Sequence, residues 1–219
     1  MPSRLNNLGV SFQLRFKHSL DVSDLLEAIS IQQRTIQLTP TGHPDMPGWL
    51  NNLGVSFTGR FKRTGDVSDL VEAISIQQRA VGLTPNDHPD MPIYLNNLGM
   101  LIESRSERTG VVADMLEAVS MLQRAVHLAS NGHPDMPRLL TSLGNSFHSR
   151  FERVGDVSDL NEAISIHHRA VQLTVHCMSR DKEEAACLPL GSAPGPRCSV
   201  NGPCRFSPPQ TATITCQDG

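Results

Sequence analysis

The chain has 219 residues, of which 38% are hydrophobic, 19% charged and 4% aromatic, enough for one ordinary domain or one short repeat array. Nineteen basic residues against 22 acidic ones leave a formal charge of −3, so no global positive field is available to hold a polyanion and no nucleic-acid partner is expected. No stretch approaches the ~18 consecutive apolar residues of a membrane span, and the opening MPSRLNNLGV lacks the apolar run of a signal peptide, so the expectation is a cytoplasmic protein with no membrane partner.

The elements follow from an internal repeat. LNNLG begins at Leu5, Leu50 and Leu95, the related LTSLG begins at Leu140, and HPDMP recurs at His43, His88 and His133, always 45 residues apart. Residues 21–40 and 66–85 agree at 16 of 20 positions. Met1-Pro2 falls in phase with Met46-Pro47, so the chain is expected to begin inside a repeat. The spacing divides it into four units, about 2–42, 45–87, 90–132 and 135–174.

Each unit carries two helical patterns. In helix A, Leu50, Leu53, Phe57 and Phe61 fall on one stripe. An aspartate such as Asp90 is expected to cap its start with Pro92 in the first turn, and Gly65, Gly110 and Gly155 to end it in a left-handed conformation. Asp66-Val67-Ser68-Asp69 then resembles a capping box opening helix B, which Thr84-Pro85 stops after Leu83. Val111 replaces the capping aspartate in the third unit, whose helix B should start most weakly. Along helix B, Leu70, Ala73, Ile74, Ile76, Ala80, Val81 and Leu83 span an arc of about 180°. One partner helix cannot cover that arc, so helix B should pack against its own helix A and the next unit's helix A. Ala28, Ala73, Ala118 and Ala163 are small where helices must approach closely.

After Thr174 the pattern stops. Residues 175–219 hold all five cysteines and six of the 15 prolines and read as a disordered tail. The cysteine spacings contain no Cys-x-x-Cys, and His167-His168 lie about 100° apart on a helix, so no metal site is expected. Both histidines replace Gln77-Gln78 on what reads as a partly exposed face. No phosphate-loop, dinucleotide, nucleophile-elbow or zinc-protease motif occurs, so neither catalytic residues nor a cofactor are expected.

Leu50, Leu53, Gly54 and Phe57, the helix B alanine Ala73 and the closing Pro85 resemble the tetratricopeptide repeat, whose usual period is 34 residues. The 45-residue form is similar to repeat arrays of large fungal proteins that often precede a caspase-like CHAT peptidase domain. The resemblance covers about residues 2–174. It implies an all-α fold, a right-handed α-α superhelix of four helical hairpins, acting as a noncatalytic scaffold that binds a peptide or protein partner in a concave groove. It also implies groove positions: Asn6, Asn51 and Asn96, with Asn7, Asn52 and Asn97 beside them, flanked by Val55, Met100 and Asn145. For the first asparagine of each pair, peptide binding and a ladder that only ties helices together both stay open; for the second, structure is favoured. Thr141 and Ser142 break the pattern in unit four.

Two other readings remain. One is a regulatory or truncated fragment of a CHAT-domain peptidase, the other a co-chaperone adaptor. HPD also occurs in J-domain co-chaperones, but its recurrence between units favours a structural loop. Arg15, Arg60, Arg105 and Arg150 on helix A, and Arg34, Arg79, Arg124 and Arg169 with Glu27, Glu72, Glu117 and Glu162 on helix B, read as structural ion-pair networks. At the C-terminal end, Ile166, Ala170 and Leu173 should form an exposed apolar strip that favours weak self-association.

Overall fold

The computed structural model describes the backbone of residues 1–130 and 132–186 and the side chains of residues 1–130 and 132–175. Eight helices follow one another: α1 Pro2–Ser19, α2 Val22–Gln37, α3 Met46–Thr64, α4 Val67–Leu83, α5 Met91–Thr109, α6 Val112–Leu128, α7 Met136–Val154 and α8 Val157–Ala186. Among the described residues there is no strand. Odd-numbered helices are the A elements and even-numbered helices the B elements.

Each B helix packs on its own A helix, and α2, α4 and α6 also pack on the next one. Among the described residues successive A helices touch, whereas no two B helices do. An array whose A elements stand closer together than its B elements must curve toward the A side, which is therefore the concave face. Where the arc of α4 meets α3 and α5, Leu70, Ala73, Ile74, Ile76 and Ala80 are all buried, each large side chain contributing about 1.5–3 kcal/mol. Leu83 departs from the expected apolar arc and is exposed in the last turn of α4. The four alanines Ala28, Ala73, Ala118 and Ala163 are at most 2% exposed, as expected for close crossings.

Gln77 overturns a polar expectation. It is wholly buried rather than partly exposed, as is Gln32 one unit earlier. The glycine of LNNLG makes room for it: a Cβ at Gly54 would come within 3.0–3.1 Å of the Gln77 side chain. One unit on, a Cβ at Gly99 would meet Leu122 at 2.8 Å. The third position of this column, Leu122, is apolar, and the fourth, His167, is half-buried while His168 is exposed.

Helix ends follow local chemistry with three differences. Gly65, Gly110 and Gly155 close α3, α5 and α7 at φ of 77°, 74° and 76°, but Leu20 takes that position after α1 at φ 57°, the only non-glycine residue with positive φ among those described. Asp21, Asp66 and Asp156 cap the B helices, each accepting a hydrogen bond of 2.9 Å from the backbone N–H two residues on. The capping-box reciprocal arm is absent because the second acid is turned inward. Asp45, Asp90 and Asp135 make no side-chain cap bond. Instead, His43, His88 and His133 accept the aspartate N–H at Nδ1, at 3.2, 3.1 and 3.2 Å, and shape the turn into the next helix. Val111 caps α6 without a side-chain bond, as expected.

The last helix continues to Ala186, twelve residues past the expected end at Thr174. Val175 stands where Pro40 and Pro85 stop α2 and α4, so nothing removes a backbone donor there. The expected disorder of residues 187–219, and with it the cysteine-bearing segment from Cys187 on, lies outside the described residues.

Candidate functional site

The asparagines of the LNNLG segment build the seam between neighbouring A helices. Asn51 Oδ1 accepts from Gln77 Nε2 at 3.1 Å and from Asn97 Nδ2 at 2.9 Å. One unit earlier, Asn52 Nδ2 donates to Asn6 Oδ1 at 3.1 Å. The first asparagine of each pair thus accepts and the second of the next unit donates, 46 residues away in sequence. Asn6 is 9% exposed and Asn96 is wholly buried, so the Asn96 side chain is not part of the accessible concave face. Asn51, Asn52 and Asn97 are half-buried and Asn7 is exposed, so in units one and three the second asparagine lies nearer the surface than the first, and in unit two the pair is alike.

This ladder ends between units three and four. Leu122 stands where Gln77 would donate and Ser142 where Asn97 would, so Asn96 Oδ1 is left buried without a partner. A parallel column fails similarly. Ser56 Oγ donates to Gln32 Oε1 at 2.7 Å; Leu101 replaces that serine opposite Gln77, and Leu122 replaces that glutamine opposite Ser146, leaving Gln77 Oε1 and Ser146 Oγ without partners. Gln32 Nε2 is also unpaired, and no exchange in the repeat accounts for it.

On the concave side, a cavity of roughly 250 Å³ opens between α3 and α5. Val55, Phe61, Met100 and Leu101 supply its apolar wall, Gln77 and Asn97 its amides, and Lys62 a rim charge. Arg138 reaches it from α7 and is held by Asp135 at 3.1 Å. The structure therefore brings Val55, Met100 and Asn97 together. Asn145 is exposed one unit further along the same register, without lining this cavity. A wider depression of roughly 830 Å³ lies among α6, α7 and α8.

The recurrent arginines of helix A are each paired within their own hairpin. Arg60 Nε donates to Asp69 at 2.8 Å with a second guanidinium bond to the same carboxylate. Arg15 with Asp24, Arg105 with Asp114 and Arg150 with Asp159 repeat the two-bond clamp. These carboxylates are the inward-turned second acids of the capping segments, and Asp69 is 2% exposed. The clamp joins helix A to helix B within each hairpin. Arg34, Arg79 and Arg169 form no ion pair with the helix B glutamates among the described residues; Arg124 instead donates to Asn86 at 2.5 Å. The sequence missed the clamp because its two members lie nine residues apart on different helices.

In the HPD loops, His43 stacks on Trp49 at 4.8 Å and His88 faces Tyr94 at 6.5 Å. Burial pushes the Tyr94 hydroxyl up to about 12, and the Asp90 charge adds to the shift. These histidines serve the turn. Among the described residues, no group of His, Cys, Asp and Glu is arranged to hold a metal ion, and no helix is long and apolar enough to cross a membrane.

Residues 48–90 match the family model of the tetratricopeptide repeat. Comparison with curated protein sequences gives no match. A crystal structure from Podosopora anserina, described as a putative kinesin light chain with nearly identical TPR-like repeats, aligns at 15% identity over 80% of this chain and 77% of that one, with a TM-score of 0.58. A single-substitution variant of that protein aligns at 14% identity over 80% and 76%, with the same TM-score of 0.58. BtubC (BKLC) from P. vanneervenii aligns at 19% identity over 84% of this chain and 65% of that one, with a TM-score of 0.48. The molecule is a tetratricopeptide-like array of helical hairpins, an all-α repeat superhelix.

Proposed function

We propose that the chain is a noncatalytic scaffold that binds an extended peptide segment of a protein partner on its concave face. The observation that supports this reading is the cavity between α3 and α5, where half-buried Asn97 and buried Gln77 border an apolar wall of Val55, Phe61, Met100 and Leu101. Amides both donate and accept, so they suit a peptide backbone, while the apolar wall suits one side chain at a time.

The test is selection of displayed random dodecapeptides on the full chain. Binding of the selected peptides is then measured to the full chain, to Val55→Glu with Met100→Glu, and to Val71→Glu on the exposed side of α4. The groove variant should lose at least roughly tenfold in affinity with an unchanged circular dichroism spectrum, and the α4 variant should bind normally. Equal affinity across all three would remove the concave face as the binding surface.

A further inference from the structure

The concave face changes sign along the array. The stripe that lines the cavity on α3 is Val55, Thr58 and Lys62. The 45-residue register places Val10, Gln13 and Lys17 on it in α1, Met100, Glu103 and Glu107 in α5, and Asn145, His148 and Glu152 in α7. Units one and two thus present lysines, and units three and four present carboxylates. Glu152 is engaged by His148 Nε2 at 3.2 Å; among the described residues no ion pair reaches Glu103 or Glu107.

Glu103 occupies a seam built for a donor. In unit one the same position is Gln13, whose Nε2 donates to Asn52 O at 2.7 Å and to Ser56 Oγ at 2.6 Å, joining α1 to α3. A carboxylate cannot donate to a backbone carbonyl, so Glu103 cannot close the seam between α5 and α7 in that way. Opposite it, where Ser56 stands in unit two, wholly buried Ser146 Oγ lies near enough to act on the Glu103 carboxyl but forms no well-aligned hydrogen bond. Burial raises the Glu103 carboxyl above its usual range and the Glu107 charge adds to the shift, while the hydroxyls of Ser149 and Ser146 oppose it, as expected of a half-buried acid lacking a cation. Nearby arginines are committed elsewhere. Arg153 donates to the Glu107 main-chain carbonyl at 3.2 Å, and Arg108 lies over Phe61 at 4.9 Å.

We propose that the concave face takes a peptide of mixed charge in one direction. An apolar side chain fills the cavity between α3 and α5, a lysine or arginine of the peptide sits on Glu103 and Glu107 toward α7, and an acidic residue lies toward Lys62 and Lys17. Glu103 and Glu107, which have no ion-pair partner among the described residues, select the cation, and the cavity fixes the spacing. This proposal rests on the concave-face reading above and adds polarity to it.

The same dodecapeptide selection on the full chain reads it out. Selected peptides should carry Lys or Arg within a few residues of an apolar residue, with Asp or Glu on its other side. Glu103→Gln with Glu107→Gln should weaken the selected peptides roughly tenfold, and Lys62→Gln should weaken those with the acidic residue by a smaller factor. Peptides with no charge pattern, or undiminished binding to the glutamine variant, overturn the proposal; if Val55→Glu with Met100→Glu still abolishes binding, the concave-face reading stands alone. Binding indifferent to the groove variant overturns both.

Discussion

Asn51 and Asn96 occupy the same repeat position yet carry different loads. Asn51 Oδ1 receives two hydrogen bonds, whereas Asn96 Oδ1 receives none. At about 1 kcal/mol per bond, Asn51→Ala should destabilise the array by about 2 kcal/mol and Asn96→Ala by less than about 1 kcal/mol, as measured by urea denaturation. Ser142→Asn should return a donor to Asn96 and gain about 1 kcal/mol. Similar losses at both asparagines would deny the ladder. Leu20 holds a left-handed conformation that costs an L-residue roughly 1–2 kcal/mol, and its side chain is 56% exposed. Leu20→Gly should therefore stabilise by about 1 kcal/mol, an unusual gain for deleting a whole side chain.

Helix boundaries were legible because they depend on neighbours in sequence: Gly65 ends α3 and Thr84-Pro85 follows α4 wherever those helices pack. Gln77 and Asp69 were not legible, since a polar residue on a polar-looking arc reads as solvated until the facing helix is known. Of the groove positions that the resemblance implied, Val55, Met100 and Asn97 line the cavity between α3 and α5, while Glu103 was passed over because only the contact made by Gln13 reveals what its position demands. At the level of the element, each hairpin relies on one Arg–Asp clamp, and three of the four on a capped B helix as well. Asp69→Ala strands the half-buried Arg60 and should cost about 3 kcal/mol, whereas Val111→Asp should gain about 1 kcal/mol by capping α6. Hydrogen bonding from Arg15 holds the Asp24 carboxyl below its usual range, and bonds from Ser68 and Ser158 do the same for Asp66 and Asp156. Folded-state values below the unfolded ones mean that this stabilisation is present at neutral pH and lost as pH falls through the depressed values, below about pH 4. Thermal melts followed by circular dichroism should lose this contribution as the pH is taken below that point.

Across the whole molecule, the outward face of α8 differs from the expected strip. Ala170 is buried and Ile166 and Leu173 are half-buried against α6 and α7, while Ile164, Val171 and Val175 are 60%, 61% and 57% exposed. Ile164 is the counterpart of Ile74, which is 4% exposed because α5 helps to cover its neighbourhood. Concentration-dependent sedimentation should show weak association that Ile164→Lys with Val171→Lys removes; a strict monomer at every concentration would contradict it. The lapse of the amide ladder beyond Asn96 has a mechanical corollary. Drawn apart by its two ends in an optical trap, the array should not yield evenly: the fourth hairpin, held to the third largely by greasy contact, should rupture first and at lower force, lengthening the tether by one hairpin before the stitched remainder gives way.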